Sequence, residues 1–585
     1  MKSVITLLGC LFAFNLCAQQ DLLKPFENMN MRSIGPAVTS GRVTAIDVPE
    51  TDENILYVGT ASGGLWKTRD GGLTWEPLFD EQPVQGIGAV AVAPSNPDVI
   101  WAGTGEGNPR NSHTSGAGIF KSLDAGRTWQ LMGLENTKTI HRVVIHPTAT
   151  DVVFAGSPGS IWGPNPDRGV FKTTDGGKNW NKILFVNDST GCADLVMDPR
   201  NPDKLFAAMW QYQRKPWIFN SGGAGSGLHM TLDGGKTWKK LTSKNGLPEG
   251  NLGRIGLAIS PSNPDVVYAL IESGKTGLYR STDGGFSWSL VTTEQVDDRP
   301  FYYHEIYVDP ANEHHLFYLH STVSESIDGG KSWNTLLPYW GVHPDHHAMW
   351  ISHSNPKFMV EGNDGGLNIS RDGGKNWQFI NNLPLGQFYH INVDNDTPYH
   401  VYGGMQDNGS WVGPGYVWHE DGIRDADWLE VAFGDGFDVV PNPEDSRFVY
   451  AMSQGGYLSH IDTETGRSDF IRPEAGDTQL RFNWNAGISD DPFNPYGLYY
   501  GSQFLHHSPD RGLTWDILSP DLTTNDSTKL KQHESGGLTI DATGAENHCT
   551  ILCIAPDPKD ARTIWVGTDD GNVQLTTNRG ESWTN

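Results

Sequence analysis

The residues Thr68-Arg69-Asp70-Gly71-Gly72-Leu73-Thr74-Trp75 form a pattern that returns throughout the chain. Its general form is Ser or Thr, any residue, Asp, any residue, Gly, any residue, and then Thr, Ser or Asn before Trp. Further copies occupy residues 122–129, 173–180, 231–238, 281–288, 326–333, 370–377 and 508–515. A ninth copy, at residues 576–583, has Asn578 in place of Asp. A motif that recurs so often in 585 residues predicts a repeat architecture rather than several unrelated domains.

A second repeat lies between the copies of the first. It consists of an apolar run, a turn rich in Pro, Asn and Asp, and another apolar run that ends in an aromatic residue, as at residues 90–101 and 255–268. Eleven such segments can be counted, and two of them, between Trp377 and Trp515, have no recognisable Asp motif after them. The spacing therefore predicts eleven structural units.

Each unit has the pattern of four short strands. The Asn-Pro turn joins the first two strands, the third ends at the Ser or Thr of the Asp motif, and its Trp begins the fourth. In this arrangement the Asp accepts hydrogen bonds from its own turn, and the Trp fills the gap between neighbouring units. Repeated four-stranded units of this length are typical of an all-β fold, the β-propeller.

These motifs resemble the Asp-box (BNR) repeats of sialidases, of family-74 glycoside hydrolases such as xyloglucanases, and of sortilin-type propellers. The resemblance covers nearly the whole mature chain. It is specific for the fold but not for the function, because Asp-boxes occur in enzymes and in binding proteins.

The same resemblance implies a domain organisation. Family-74 enzymes have two seven-bladed propellers in tandem, which implies a first propeller over residues 19–385 (blades 1–7) and an incomplete second one over residues 386–585 (blades 8–11). The fourth strand of the last blade is missing, so we expect the sequence to be a fragment of a longer protein. The alternative is that another segment of the chain completes that blade.

The net charge of −27 argues against nucleic acid and anionic membranes as partners, because both select basic surfaces. Residues 1–18 combine Lys2, a short apolar run and a small residue, Ala18, which predicts a signal peptide too short to span a membrane. We therefore expect a secreted, periplasmic or cell-surface protein without membrane insertion.

Ligands of propellers usually bind on the side formed by the segments that enter strand 1 and the turns between strands 2 and 3. These positions are much more polar here than the strands beside them, which is either ordinary loop polarity or a polar funnel for a sugar or a peptide. The predicted ligand-binding residues are Arg42, Arg254, His304, Asp345, His346, Asp364, Gln406, Asp407 and Trp411. No cofactor is expected. No metal site is expected either, because His346 and His347 are adjacent in a strand and point to opposite faces.

Family-74 hydrolysis needs two carboxyl groups, one as acid and one as base. The resemblance places the first in the segment Thr60-Ala61-Ser62-Gly63-Gly64, where Ala61 replaces the carboxylate. It places the second in the Gly-Asp segment at Asp435. Asp569 lies in a segment like the first one but in another blade, so Asp435 and Asp569 are the candidate catalytic residues.

The propeller repeats are complete, but one of the two expected catalytic carboxyl groups is missing. This combination favours a secreted propeller that binds a glycan or peptide on its top face, the side formed by the segments that enter strand 1 and the turns between strands 2 and 3. The first alternative is a glycoside hydrolase that uses Asp435 with Asp569, Asp364 or Asp407 on a polysaccharide. The second alternative is a sortilin-like module that binds or assembles partner proteins.

Overall fold

The computed structural model describes residues 34–35, 40–296 and 298–585, and this part of the chain forms eleven β-sheets. Nine of them have four antiparallel strands joined in sequence order, which confirms the predicted all-β fold of propeller type. The predicted signal peptide lies outside the described residues. None of the helices in the described part has the length and hydrophobicity needed to cross a membrane.

We number the sheets 1 to 11 along the chain. Sheet 1 contains β1 (Val43–Asp47), β2 (Leu56–Thr60), β3 (Leu65–Thr68) and β4 (Glu76–Pro77). Sheet 2 contains β5 (Ile87–Val92), β6 (Ile100–Thr104), β7 (Ile119–Ser122) and β8 (Gln130–Leu131). Sheet 3 contains β9 (Arg142–His146), β10 (Ala149–Ser157), β11 (Gly169–Thr173) and β12 (Asn181–Leu184). Sheet 4 contains β13 (Thr190–Asp198), β14 (Asn201–Lys215), β15 (Ile218–Ser221), β16 (Gly227–Thr231) and β17 (Lys239–Lys240). Sheet 5 contains β18 (Ile255–Ile259), β19 (Val267–Ile271), β20 (Gly277–Ser281) and β21 (Ser289–Thr292). Sheet 6 contains β22 (Glu305–Val308), β23 (Leu316–Leu319), β24 (Val323–Ser326) and β25 (Asn334–Leu337). Sheet 7 contains β26 (His346–Ile351), β27 (Met359–Asn363), β28 (Gly366–Ser370) and β29 (Gln378–Phe379).

The remaining strands follow the same order. Sheet 8 contains β30 (Phe388–Val393), β31 (His400–Met405), β32 (Ser410–Pro414) and β33 (Leu429–Ala432). Sheet 9 contains β34 (Gly436–Pro441), β35 (Phe448–Ser453), β36 (Tyr457–Asp462) and β37 (Arg467–Phe470). Sheet 10 contains β38 (Ile488–Asp491), β39 (Asn494–Gly501), β40 (Leu505–Ser508) and β41 (Asp516–Ile517). Sheet 11 contains β43 (Ile551–Pro556), β44 (Ile564–Thr568) and β45 (Val573–Thr576). The strand β42 (Gly536–Gly537) belongs to sheet 4, and short 3-10 helices occupy Glu135–Thr137, Ser243–Asn245, Asp425–Asp427, Gln454–Gly456 and Gln532–Glu534.

The Asp-box turn is held together as predicted. In the third copy, Asp175 accepts the backbone N–H of Asn179 at 3.0 Å, its side-chain amide at 2.7 Å and the hydroxyl of Thr173 at 2.8 Å. The Trp of the same motif, Trp180, donates from Nε1 to the carbonyl of Met132 in the preceding unit at 2.7 Å. This Asp-box therefore stabilises its own turn and the contact with the preceding unit.

Sheet 7 packs back on sheet 1. Val43 and Val58 of sheet 1 share one buried apolar cluster with Val360 and Leu367 of sheet 7, and Leu385 closes that cluster. We propose on these contacts that sheets 1 to 7 form one ring, and that the chain divides near residue 385 as the resemblance implies.

Two sheets differ from the four-stranded pattern. In sheet 4, β14 continues to Lys215, turns into β15, and β15 pairs in parallel with β42 of a segment between sheets 10 and 11. Arg214 of this extension forms a buried ion pair with Glu546 at 2.9 Å. This hairpin is longer than in other units, and it packs against the second half of the chain. Sheet 11 has three strands, and an isolated bridge joins Leu575 to Thr584 beside them.

Candidate functional site

Arg42 lies directly before β1, at the end of sheet 1 where the chain enters the first strand. Its guanidinium is buried and donates to three carboxylates: Nε to Asp364 Oδ1 at 2.6 Å, Nη1 to Glu106 Oε1 at 2.7 Å, and Nη2 to Asp407 Oδ2 at 3.3 Å. Asp407 lies in the turn between β31 and β32. The cluster therefore joins sheets 1, 2 and 7 to sheet 8.

Asp364 is the centre of this cluster. It also accepts the hydroxyl of Tyr302 at 2.7 Å and contacts Nε2 of His347 at 2.8 Å. Burial by itself would raise the pKa of Asp364, but Arg42 and His347 together hold the pKa well below its usual range. Asp364 is therefore a charged, paired group.

A second buried network continues from His347. His347 Nδ1 lies 3.1 Å from Nδ2 of Asn108, and Arg254 Nη1 donates to Asn108 Oδ1 at 3.1 Å. Arg254 Nη2 donates to Glu305 Oε1 at 2.7 Å. The predicted residues Arg42, Asp364 and Arg254 are thus brought into one continuous hydrogen-bonded network.

Asp407 and Asp435 form a pair of carboxyl groups beside the cluster. The backbone N–H of Asp407 donates to Asp435 Oδ1 at 2.6 Å, and Trp484 Nε1 donates to Asp435 Oδ2 at 2.8 Å. Burial and the charges of Asp435 and Asp364 raise the pKa of Asp407 well above its usual range, against the opposing charges of Arg110 and Arg42. The surroundings therefore favour the protonated form of Asp407, and Asp435 beside it accepts two hydrogen bonds.

Both carboxyl groups line a cavity of about 630 Å³ between sheets 7, 8 and 9. Asp345 and Glu430 add further carboxylates to its wall. Three exposed aromatic side chains border it: Tyr339, Trp340 and Phe433, of which Trp340 is 79% exposed. A cavity with polar groups at its base and aromatic faces at its rim is suited to a ligand that has both hydroxyl groups and apolar faces.

Other predicted ligand residues lie around this cavity. Asp345 accepts a hydrogen bond from the hydroxyl of Tyr303, and Trp411 lines the cavity and donates to the carbonyl of Asn408 at 2.6 Å. Gln406 Oε1 accepts from Ser112 at 2.7 Å. Asp345 and Trp411 therefore share the cavity with the carboxyl pair, whereas Gln406, which precedes Asp407, is buried and does not line it.

The remaining predicted residues are held apart from the cavity. His304 is buried beside Arg254, and its pKa is lowered to about 3 by burial and by that charge. His346 is fully buried, and its Nδ1 is hydrogen-bonded to the carboxyl group of Glu361. Asp569 accepts from Thr550 Oγ1 at 2.6 Å and from Asn483 at 3.0 Å, whereas the next residue, Trp484, contacts Asp435.

Ala61 is also buried, and its N–H donates to the carbonyl of Arg42 at 3.0 Å. The position that carries a carboxylate in family-74 enzymes thus lies next to the Arg42 cluster but provides no acid here.

Several contributors to the site were not predicted. Tyr302 and Tyr303 precede β22, in the same entry position as the predicted His304, so the aromatic run at residues 301–303 was a usable signal. Trp340 and Phe433 lie in loops of unequal length that no repeat marks. Comparing the units position by position could not find them.

One group of side chains in the described part of the chain has the spacing of metal ligands. Asp394, Asp396 and His400 have ligand atoms within 4.8 Å of one another. Both oxygens of Asp394 already accept hydrogen bonds, from the N–H and imidazole of His400 and from the hydroxyl of Tyr402. The group is satisfied by its own hydrogen bonds.

The fold matches known propeller proteins. The family model Sortilin-Vps10 (sortilin, neurotensin receptor 3) matches residues 117–249. An ancestral GH74 enzyme superposes with a TM-score of 0.58 at 16% identity, covering 95% of this chain and 78% of that one. The chain is an Asp-box β-propeller similar to family-74 (GH74) enzymes and to sortilin-type propellers.

Curated relatives point the same way. A xyloglucanase of Paenibacillus sp. is 24% identical over 296 residues, which are 46% of this chain and 27% of the relative. An oligoxyloglucan-reducing end-specific xyloglucanase of Emericella nidulans is 22% identical over 575 residues, which are 90% of this chain and 56% of the relative. The chain therefore spans about half, or less, of the length of these relatives.

Proposed function

We propose that this chain binds a polysaccharide in the cavity between sheets 7, 8 and 9. The observation that carries the proposal is the combination of exposed Tyr339, Trp340 and Phe433 with the carboxyl groups of Asp345 and Asp435 in one cavity. Aromatic faces pack on the apolar faces of sugar rings, and carboxylates accept hydrogen bonds from sugar hydroxyls. The similarity to xyloglucanases supports a β-glucan such as xyloglucan as the ligand.

The carboxyl pair supports a second candidate function, hydrolysis of the bound chain. A glycosidase needs one carboxyl group that stays protonated and one that is ionised. The raised pKa of Asp407 suits the acid, and Asp435 beside it suits the base. Asp407 would then act in place of the family-74 carboxylate that Ala61 replaces.

The binding experiment is isothermal titration of the purified chain with xyloglucan, unsubstituted β-glucans and a panel of peptides. We expect xyloglucan to bind and Trp340→Ala to weaken that binding about tenfold or more, as for a central aromatic contact. Trp418→Ala is the matched control, because Trp418 is 85% exposed and does not line the cavity. Binding of peptides without glycans would instead favour the sortilin-like alternative.

Hydrolysis is measured as new reducing ends under the same conditions. If Asp407 and Asp435 act as acid and base, Asp407→Asn and Asp435→Asn each abolish the release while xyloglucan still binds. Asp421→Asn is the control, because this exposed carboxylate contacts His419 and Arg424 of its own loop and does not line the cavity. If the unaltered chain binds xyloglucan tightly but releases no reducing ends, the hydrolysis proposal is wrong and the binding proposal stands.

We also propose that the protein acts outside the cytoplasm, as a secreted, periplasmic or cell-surface protein. The support is the signal-like sequence at residues 1–18 and the excess of acidic residues. Secretion followed by removal of this segment would be seen as an N-terminus near Gln19 in the mature protein.

A further inference from the structure

A second cavity lies at the opposite end of the first strands of sheets 1 to 7. Arg42 and His347 stand where β1 and β26 begin, whereas this cavity forms where β1, β5, β22 and β26 end. Its volume is about 360 Å³, within the range of small-molecule sites. It is therefore separate from the proposed polysaccharide site.

Much of the wall of this cavity is apolar and rigid. Val48, Val92 and Met349 contribute buried apolar side chains. Five prolines from the turns surround them: Pro49, Pro94, Pro97, Pro261 and Pro310. Because proline has a fixed φ angle, little conformational freedom would be lost when a ligand enters.

Asp47, the last residue of β1, places a carboxylate in this apolar wall. Its oxygens accept the N–H groups of Val48 at 2.9 Å and of Val92 at 2.7 Å. No ion pair to Asp47 occurs among the described residues, and nearby Glu50 is paired with His353. A partly buried carboxylate without a counter-ion favours the approach of a cation.

Two aromatic rings complete the site. Tyr307 and Trp350 line the same cavity and are each partly exposed to it. Aromatic faces attract cations as well as apolar groups. The other titratable groups that line the cavity with Asp47 are Glu50, His353 and Tyr307, and neither lysine nor arginine lines it.

We propose that this cavity binds an organic cation, an apolar group that carries a protonated amine, with the amine paired to Asp47 and the apolar part against Val92, Met349 and Trp350. The amine can belong to a small molecule or to a lysine side chain with apolar neighbours, since the recognising chemistry is the same. Burial raises the pKa of Asp47 to about 6, despite its two backbone hydrogen bonds, so the carboxylate is ionised at neutral pH. The pairing would therefore weaken below about pH 6.

The experiment is isothermal titration of the full chain with tryptamine and with N-acetyl-Leu-Lys-Leu-amide at pH 7.5. Indole-3-propionate is the matched ligand control, because it has the same ring with a negative charge. We expect at least one cation to bind, indole-3-propionate not to bind, and Asp47→Asn to weaken binding at least tenfold. Preference for tryptamine or for the peptide identifies the source of the amine.

Asp98→Asn is the protein control, because Asp98 lies in the adjacent turn and does not line the cavity. If Asp47→Asn does not fold, the unaltered chain still tests the proposal through a fall in affinity between pH 7 and pH 5. Equal binding of tryptamine and indole-3-propionate, or no binding of either cation, would overturn it. Xyloglucan binding measured on the same samples should not change, so the two sites can fail independently.

Discussion

The Asp-box carboxylates and the carboxylates near Arg42 have the same side chain in opposite surroundings. Asp175 is partly exposed in a surface turn, and hydrogen bonds from Asn179 and then Thr173 lower its pKa to about 2. Asp407 is mostly removed from solvent, and burial with the charges of Asp435 and Asp364 raises its pKa. The difference shows that hydrogen-bond donors directed at a carboxylate lower its pKa, whereas burial beside other carboxylates raises it.

The Arg42 cluster contains both kinds of environment. Asp364 is more deeply buried than Asp407, yet Arg42, His347 and Tyr302 keep it ionised. Arg42 reaches Asp407 only through one longer contact of 3.3 Å. The number and distance of the donors, rather than burial itself, separate the two aspartates.

The largest effect should come from removing the shared cation. Arg42→Met leaves Asp364 and Glu106 without their buried counter-charge, and loss of one partner of a buried ion pair costs about 3–5 kcal/mol. We expect a clear fall in the melting temperature and in the urea midpoint of the half that contains sheets 1 to 7.

Arg69→Met is the matched control for this variant. Arg69 is half exposed, and its nearest carboxylate, Glu76, lies 3.8 Å away. Exposed pairs of this kind contribute at most about 1 kcal/mol. Equal melting temperatures for the two variants would mean that the Arg42 cluster does not stabilise the fold.

The fold was largely predictable because its information is local and repeated. The pattern that begins at Thr68 sets the third strand, the turn and the fourth strand of a unit, and seven of the nine four-stranded sheets carry it. Sheets 8 and 9 form four strands without it. The extended hairpin of β14 and β15 was not predictable, because β15 pairs with β42, which lies more than 300 residues away in the sequence. Contacts of that range leave no periodic signal.

The candidate site was predictable in part for a related reason. Arg42, Asp364 and Asp407 occupy equivalent entry or turn positions in their units, so the comparison of units selected them, and the structure brings them into contact. Trp340 and Phe433 belong to loops without equivalents. The sign of the pKa shifts of Asp364 and Asp407 also depends on distances that only the packed structure sets.

A smaller effect should follow from removing one hydroxyl of the cluster. Tyr302→Phe deletes the hydrogen bond to Asp364 Oδ2 but leaves Arg42 and His347 in place. A hydrogen bond to a charged group contributes about 1.5–3 kcal/mol, so the melting temperature should fall less than in Arg42→Met. A loss as large as that of Arg42→Met would show that the hydroxyl, rather than the guanidinium, keeps Asp364 ionised.

The smallest effect should appear at a single Asp-box, and it should depend on pH. The pKa of Asp175 in the folded protein, about 2, lies below the unfolded value near 3.8, so its contribution to stability is present above pH 4 and is lost as the pH falls towards 2. Asp175→Asn should lower the melting temperature slightly at pH 7, and its difference from the unaltered chain should shrink between pH 4 and pH 2.

The ninth Asp-box supplies the reverse variant. Asn578 already makes the same turn with a neutral side chain, accepting the N–H of Ser582 at 3.0 Å and the hydroxyl of Thr576 at 2.8 Å. Asn578→Asp should therefore add stability at pH 7 that disappears between pH 4 and pH 2, as thermal melts at these values would show. If both variants keep a constant difference from the unaltered chain at every pH, hydrogen-bond geometry rather than charge stabilises the turn, and the contrast with Asp407 would rest on burial alone.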